Sequence, residues 1–370
     1  VMLPSAPLHH LLFDSLSSRA LVMTSGNVAG EPIAHVDADA RERLSAIADS
    51  FVTHDRGIHM PCDDSVVRVL DHTVLPIRRS RGYAPVPVGL PVPVPPTLAV
   101  GGELKATVCL AENSRGWMRQ HLGDVATLEA LELLARTVDV LRQQSRVVPE
   151  VVVADQHPGY LSRRWASEYA TETGAQLVLA QHHHAHLASL LAEHGIPADE
   201  PVLGVTFDGT GYGSDGAIWG GEFLLGSYAE VHRVAHLAPV LLPGGDAAIR
   251  HPSRTSLAHL HAAGLAWSDA IPSVHAVAPQ QRRLLAGMLT NGAGCTPTTS
   301  MGRLFDAVSS LIGICHEAGY EGQAAIELEA VVAGLGDVHR CDDVPAMIID
   351  SSNDALVVDP REVLAALVRD

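Results

Sequence analysis

The chain has 370 residues, of which 47% are hydrophobic and 18% are charged, a composition typical of a packed globular protein rather than a disordered one. Its formal net charge of −17 argues against nucleic acid as a main partner, because the few basic residues would have to cluster to offset the repulsion. The sequence contains no signal peptide and no apolar run long enough to span a membrane, so we expect a cytoplasmic protein without membrane contacts.

The cysteines and the chain ends add two expectations. No CxxC pair or even disulfide framework is present, which favours reduced thiols at Cys62, Cys109, Cys295, Cys315 and Cys341. The chain begins at Val1 without an initiator methionine and ends inside a predicted helix, Pro360 to Val368. We therefore expect a fragment of a longer protein.

The first 84 residues combine short elements with polar turns. Leu21 to Met23 is predicted to be a strand that runs into the turn Thr24 to Asn27, which could bind a phosphate or ribose or be an ordinary loop. Asp37 to Phe51 is predicted to be an amphipathic helix. Ile77 to Tyr83 carries three arginines in four positions, which indicates either an anionic ligand or a solvated charge run.

A proline-rich segment, 85–96, contains six prolines and is predicted to be a stiff, extended linker. It divides the chain into one domain over residues 1–84 and a second over residues 97–370.

The second domain begins with a glycine hairpin, Gly101 to Lys105, and a long helix that is capped by Gly123-Asp124 and has a leucine-rich stripe. A strand from Val151, a helix over Ser162 to Thr173 and a strand over Leu177 to Ala180 then alternate up to Phe207, which predicts a parallel sheet with crossover helices. With a second glycine-rich hairpin further on, this order suggests an α/β fold of the two-lobed actin-like kinase (ASKHA) type.

A histidine-rich segment follows the strand that ends at Ala180. His182 and His186 are four residues apart and would share one helical face, and Asp208 ends the next predicted strand, so all three could converge at the carboxyl edge of one sheet. Two histidines and a carboxylate suit iron or zinc better than magnesium. The alternative is that the histidines form solvated polar surface.

The glycine-rich segment after Phe207 is predicted to be a turn that offers backbone N–H groups to a phosphate. The residues that would form this phosphate cradle are Gly209, Thr210 and Gly211.

Further along, Pro243 to Asp246 leads to Arg250 and Arg254, which would lie one helical turn apart and could bind a carboxylate or phosphate or be surface arginines. Two apolar helices are predicted after that point, Ser300 to Ile314 and Ala324 to Val332.

Taken together, these motifs resemble a known family. Residues 21–83 resemble the second half of a YrdC-like domain, and residues 98–332 resemble the ASKHA-type transfer domain fused to it in the HypF family of NiFe-hydrogenase maturation carbamoyltransferases. The strings that carry the resemblance are MTSGN, CDDSVVR, RRSRGYAP, GGELKAT, QHHHAH, FDGTGYG with WGGEFLL, LPGGDAA, MGRLFDAV and YEGQAA.

The resemblance implies that such a protein makes carbamoyl adenylate from carbamoyl phosphate and ATP, with Mg²⁺ as a possible companion of the nucleotide. It would pass the carbamoyl group to the C-terminal cysteine of a partner maturation protein for cyanide ligand synthesis. The implied metal ligands are His182, His186 and Asp208. The implied nucleotide and adenylate contacts are Ser25, Asn27, Ser65, Lys105, Gly209, Thr210, Gly211, Gly244, Gly245 and Gly302. Asp246, Arg250 and Arg254 would belong to the catalytic region.

The sequence departs from the family pattern at both ends, where the acylphosphatase-like domain, the zinc fingers and a late Ser-Gly-Gly or Asn-Asp-Gly-Gly string are absent. We therefore expect this chain alone not to complete the transfer. Two alternatives stay open: an antibiotic O-carbamoyltransferase acting on a small-molecule hydroxyl, and a non-catalytic module that docks the partner protein. A threonylcarbamoyl-transferring tRNA-modification protein would share the HxxxH helix but would not carry the fused Thr24 to Arg81 region.

Overall fold

A computed structural model of the chain describes residues 2–28, 31–335, 345–351 and 354–369. Contacts divide the chain into two compact units. The first comprises Val1–Pro87, Glu103–Cys109 and Trp117–Arg146, and the second comprises Val88–Gly102, Leu110–Gly116 and Val147–Asp370. This grouping follows contacts rather than sequence order, and the domain bounds 1–84, 85–96 and 97–370 stay a prediction.

The described residues form a mixed α/β structure. The helices are α1 Pro7–Ser15, α2 Asp37–Leu44, α3 Leu128–Ser145, α4 Leu161–Thr173, α5 His182–Glu193, α6 Asp246–Arg250, α7 Pro252–Ala262, α8 Pro272–His275, α9 Pro279–Asn291, α10 Met301–Leu311, α11 Gln323–Gly334 and α12 Arg361–Arg369. The strands are β1 Val66–Leu70, β2 Thr73–Arg78, β3 Val88–Ala99, β4 Cys109–Met118, β5 Val151–Asp155, β6 Gln176–Ala180, β7 Val202–Tyr212, β8 Ile218–Gly226, β9 Val231–Leu237, β10 Val240–Pro243, β11 Cys295–Thr298, β12 Ile348–Asp350 and β13 Leu356–Asp359.

The first unit contains the antiparallel hairpin β1–β2, whose two-residue turn is Asp71-His72. Both turn residues have positive φ, +47° and +65°, as the tight turn of a twisted hairpin requires. Three expectations for this unit are corrected. Leu21 to Met23 forms no strand, the helix predicted over Asp37 to Phe51 ends at Leu44, and the α3 cap is Thr127 rather than Gly123-Asp124.

The proline-rich segment lies mostly inside β3, which corrects its predicted local structure, whereas its role as a domain boundary stays a prediction. Pro91, Pro93 and Pro95 are exposed and alternate with half-buried Val92 and Val94, so the rings, which cannot donate to a ladder, all point one way. The end of β3 pairs in parallel with β5, and β5 pairs in parallel with β6, in a four-stranded sheet of order β4-β3-β5-β6. The predicted parallel arrangement is confirmed for β5 and β6.

A seven-stranded mixed sheet follows, with the order β10-β11-β8-β9-β13-β12 and with β7 paired to β8. β7 and β8 form a long antiparallel pair whose register is irregular between Phe207 and Gly211. β6 and β7 thus belong to different sheets, so the expectation that the histidines and Asp208 lie at the edge of one sheet is wrong.

Helix α5 is the element that connects the two sheets. It follows β6 directly, and its leucines Leu187 and Leu191 are buried against Leu224 of β8. Gly204 of β7 allows this close packing, because a Cβ there would lie 2.6 Å from Cδ1 of Leu187. Each fully buried leucine contributes about 2 kcal/mol, so the packing fixes the start of α5 beside β7.

The remaining expectations concern the helices near the end of the chain, the cysteines and the membrane. α10 and α11 occupy the segments predicted to be helical, with α10 ending at Leu311 rather than Ile314. Cys62, Cys109, Cys295 and Cys315 are free thiols, and Cys341 lies outside the described residues. In the part of the chain that the structure describes, no helix has the length and apolarity to span a membrane.

Candidate functional site

The side chains of His182, His186 and Asp208 converge, with one potential ligand atom from each lying within 4.8 Å of the others. Nε2 of His182 lies 3.2 Å from Nε2 of His186 and 3.1 Å from Oδ2 of Asp208. His182 begins α5 and His186 lies one turn later, so the four-residue spacing aligns the two imidazoles as expected. Their role as metal ligands stays a prediction.

Asp155, which ends β5, orients His182. Its Oδ2 lies 2.7 Å from Nδ1 of His182, and its Oδ1 accepts a 2.8 Å hydrogen bond from the backbone N–H of His157. A carboxylate on Nδ1 holds the proton there and leaves Nε2 available to a ligand, an arrangement common for metal-binding histidines. Sequence reasoning missed this residue.

Gln181 ties the first turn of α5 to β7. Its side-chain oxygen accepts the N–H of His184 at 2.8 Å, and its Nε2 donates to the carbonyl oxygen of Tyr212 at 3.1 Å. Gln181 therefore caps the helix and fixes the helix start against the end of β7.

The charges of the cluster are strongly coupled. Burial alone would lower the pKa of His182, but its hydrogen bond to Asp155 and the nearby carboxylate of Asp208 raise that pKa to about 9. Burial opposes ionisation of Asp208, yet His182 outweighs it and lowers the pKa of Asp208 to about 2. His182 is thus an imidazolium between two carboxylates at neutral pH, with a proton at the position where a cation would bind.

The donor set fits a first-row cation. Oδ2 of Asp208 is buried and forms no hydrogen bond of good geometry, although His182 lies 3.1 Å away. Nε2 of fully buried His183 lies 3.7 Å from the same oxygen and, within the part of the chain that the structure describes, also has no hydrogen-bond partner. Burial and the charge of His182 lower the pKa of His183 to about 4, so His183 is neutral. Imidazole and carboxylate ligands suit zinc and iron.

The glycine-rich segment after Asp208 is not a turn, which corrects its expected structure, whereas its expected contact with a phosphate stays a prediction. Gly209, Thr210 and Gly211 lie in β7 at its irregular register, and the turn follows Tyr212. A Cβ at Gly211 would lie 2.8 Å from Nε2 of His183 and 2.9 Å from Cδ2 of His182, so this glycine makes room for the histidine rings. At Gly209 the nearest such contact is an ordinary 3.5 Å to Arg303.

Helix α10 packs its first turn against the same part of β7. A Cβ at Gly302 would lie 2.8 Å from Cα of Gly209, so Gly302 serves close packing at this position. Ser300 caps the helix and donates to the carbonyl oxygens of Asp208 and Gly209.

The Gly244 to Arg254 region forms no ion pair or side-chain hydrogen bond to the cluster among the described residues. Gly244 and Gly245 form a positive-φ turn after β10, and Asp246 begins α6 with its side chain outside the described residues. Arg250 ends α6 and Arg254 lies in α7, so the expectation of two arginines on successive turns of one helix is wrong.

Four predicted nucleotide contacts lie in the first unit. Ser25 is exposed, and the amide of Asn27 donates to the carbonyl oxygen of Glu31 at 3.0 Å, which closes its own loop. The hydroxyl of Ser65 links the backbones of Ser80 and Arg81 at 2.8 Å each. The fourth, Lys105, is exposed, and its backbone N–H donates to Asp124. Ligand roles for these residues stay predictions.

Comparisons with known protein families cover almost the entire chain. Residues 204–370 match the model described as carbamoyltransferase, Kae1-like domain, second subdomain. Residues 93–193 match the HypF Kae1-like domain, and residues 1–80 match the Sua5/YciO/YrdC family, described as telomere recombination. The chain belongs to the HypF carbamoyltransferase family.

Curated HypF proteins are similar over most of this chain. Carbamoyltransferase HypF2 of Cupriavidus necator is 41% identical over 91% of this chain and 43% of its own length, and the Synechocystis HypF is 38% identical over 99% of this chain and 48% of its own length. A HypF homolog of Cupriavidus necator is 38% identical over 74% of this chain and 68% of its own length. The chain thus spans about half the length of the first two HypF relatives.

Solved HypF structures match the fold. Full-length HypF in its phosphate- and nucleotide-bound form superposes with a TM-score of 0.87 at 36% identity, covering 100% of this chain and 56% of that protein. HypF of T. kodakarensis gives a TM-score of 0.85 at 31% identity, covering 100% of this chain and 48% of that protein. The predicted α/β fold class, a YrdC-like part followed by an ASKHA-type part, is confirmed.

Proposed function

We propose that this chain carries the carbamoyl-transfer site of a hydrogenase maturation enzyme and works in the cytoplasm. The protein would make carbamoyl adenylate from carbamoyl phosphate and ATP and pass the carbamoyl group to the C-terminal cysteine of a partner protein. The observation that carries the proposal is the cluster of His182, His186 and Asp208, oriented by Asp155, inside a segment matched by carbamoyltransferase family models.

His182, His186 and Asp208 would hold one iron or zinc ion, which when bound polarises a carbonyl or phosphoryl oxygen. Three protein ligands leave a position for water or substrate, as in catalytic rather than structural sites. Asp155 keeps Nε2 of His182 directed at this position, and buried His183 faces Asp208 and carries no charge at neutral pH.

In the transfer step, the cysteine sulfur attacks the carbamoyl carbon. The S–C bond forms as the bond between that carbon and the phosphate oxygen breaks, and AMP leaves with the electron pair. The thiol proton passes to solvent or to a neighbouring base. Gly209 and Thr210 are the remaining candidates for backbone contact with the phosphate, since the space beside Gly211 is filled by histidine rings.

The test supplies the full-length protein, of which this chain is predicted to be a fragment, with ATP, carbamoyl phosphate and a partner peptide that ends in cysteine, and weighs the peptide by mass spectrometry. We expect a carbamoyl mass gain that is lost in the His182→Ala, His186→Ala double variant. His184→Ala is the matched control, because His184 lies on the same helix but its Nε2 lies 2.9 Å from the carbonyl oxygen of Ser227 instead of in the cluster. A peptide of unchanged mass with the unaltered protein would contradict the proposal, and full transfer by the double variant would contradict the role of the cluster.

A further inference from the structure

Glu222 of β8 has a carboxylate with no solvent exposure. This carboxylate lies beside the backbone segments that surround Asp208. It pairs with Arg233 of β9, whose Nε and Nη2 each lie 2.6 Å from Oε2. Its other oxygen accepts the N–H groups of Gly220 and Gly221 at 3.1 and 3.2 Å and the hydroxyl of Thr299. A buried charge of this kind is stable only when every lone pair has a partner, so Glu222 joins three segments of chain rigidly.

Arg233 is in turn held from its other side. Its guanidinium lies 4.1 Å from the ring centroid of Trp219, and the Trp219 N–H donates to Asp215 at 2.9 Å. Asp215 also lies 3.6 Å from Arg233. Both side chains of the Glu222–Arg233 ion pair are therefore held in place, and Glu222 stays in contact with Thr299 and Gly220.

The segments that Glu222 joins lie on two sides of the Asp208 backbone. A Cβ at Gly220 would collide with the carbonyl oxygen of Asp208, so the two strands touch there. Ser300, the neighbour of Thr299, donates its hydroxyl to the carbonyl oxygens of Asp208 and Gly209, at 2.8 Å each. The same hydroxyl accepts the N–H of Arg303 at 3.1 Å, so its single O–H is shared between the two carbonyl oxygens while one of its two lone pairs is used.

We propose that Ser300, aligned by the buried Glu222–Arg233 pair through Thr299, is a positioning residue that holds Asp208 in its ligating orientation. The irregular register of β7 at Phe207 to Gly211 leaves this stretch without a regular ladder to β8, and the Ser300 hydroxyl supplies the missing constraint. This inference rests on the proposed role of Asp208 as a metal ligand.

The test measures Co²⁺ binding by competition with a chromophoric chelator, together with the visible absorption of bound Co²⁺, in the full chain. We expect Ser300→Ala to raise the dissociation constant about tenfold or more and to change the Co²⁺ spectrum, since groups that orient ligands have effects of this size. A merely structural role would lower thermal stability and leave the spectrum unchanged.

Two control variants distinguish the loss of Asp208 positioning from the loss of a helix cap or of a buried hydroxyl. Thr127→Ala removes the hydroxyl cap of α3, as Ser300→Ala removes that of α10. Ser309→Ala removes a fully buried hydroxyl of α10 that has no hydrogen-bond partner among the described residues. Both controls should bind Co²⁺ as the unaltered protein does. If Ser300→Ala does not fold, Glu222→Gln, which keeps the shape and weakens the ion pair, should raise the dissociation constant severalfold and alter the spectrum.

The outcomes distinguish this inference from the proposed function. If the unaltered protein binds no Co²⁺ that depends on His182 and His186, the proposed metal site is wrong and the positioning role falls with it. If Co²⁺ binds and the folded variant, Ser300→Ala or its replacement Glu222→Gln, keeps the same affinity and spectrum, the metal site stands and the positioning role is overturned.

Discussion

Nδ1 of His182 lies 2.7 Å from Oδ2 of Asp155, and the pairing register of two parallel strands produces this contact. Asp155 is opposite Ala180 in the β5–β6 ladder, and the chain reaches His182 two residues after Ala180. Side chains that follow neighbouring parallel strands meet at their carboxyl ends, so a carboxylate there is well placed to fix the tautomer of the first histidine of α5.

Asp155→Asn should weaken metal binding by about 10- to 100-fold, because the amide no longer holds the Nδ1 proton by charge. The dissociation constant for Zn²⁺, measured by chelator competition, checks this. Asp63→Asn is the matched control, since Asp63 also contacts a histidine, His121, at 3.4 Å in the other compact unit. Equal effects of the two substitutions would show that Asp155 has no special link to the cluster.

The stability of the metal-free protein should fall between about pH 6.5 and 9. The pKa of His182 is raised to about 9 in the folded state against 6.5 for the free side chain, so its stabilisation is complete below pH 6.5 and is lost as the pH rises through 9. The full change is on the order of 3 kcal/mol. Urea unfolding in a chelator measures it, and His182→Gln should flatten the pH dependence. An equally steep decline in His182→Gln would assign it to another group.

Two glycines of the same strand should respond differently to an added methyl group. Gly211→Ala places a Cβ against the rings of His182 and His183 and should abolish tight metal binding and lower stability. Gly209→Ala meets only an ordinary 3.5 Å contact and is expected to keep both. Metal content and thermal melting of the two variants provide the comparison. Normal metal binding by Gly211→Ala would mean that the rings can move aside.

The sequence located the cluster because local patterns determine it. The apolar run before His182, the helical spacing to His186 and the strand before Asp208 each rest on neighbouring residues. The partners from elsewhere in the chain, Asp155 and Ser300, were not assigned, because their contacts depend on strand register and on the packing of α10. Asp155 did carry a signal, since an acidic residue ends the strand before β6.

Two errors have the same physical origin. β6 and β7 were expected in one sheet because they alternate with helices, but β7 pairs with β8, and α5, which follows β6, packs against the β7–β8 pair. The segment 85–96 was interpreted from its proline content, whereas the alternation of Val92 and Val94 with exposed prolines is the period of a strand. In both cases the contacts of the segment with distant parts of the chain, rather than its local sequence pattern, determined its structure.

Metal binding at the cluster should release close to one proton per ion at pH 7, falling to about half a proton at pH 9. In the metal-free protein two carboxylates stabilise the charged form of His182, so a cation at Nε2 must displace the proton there. His183, with a pKa of about 4, is already neutral in this pH range and releases no proton. The apparent affinity should then rise about tenfold per pH unit until the pKa of His182 is reached. Calorimetric titrations of Zn²⁺ in buffers of different ionisation enthalpy count the protons directly. A dissociation constant that stays constant over this range would show that His182 does not ligate the ion through Nε2, whereas a shallower dependence in Asp155→Asn would confirm that Asp155 raises the pKa of His182 through its contact with Nδ1.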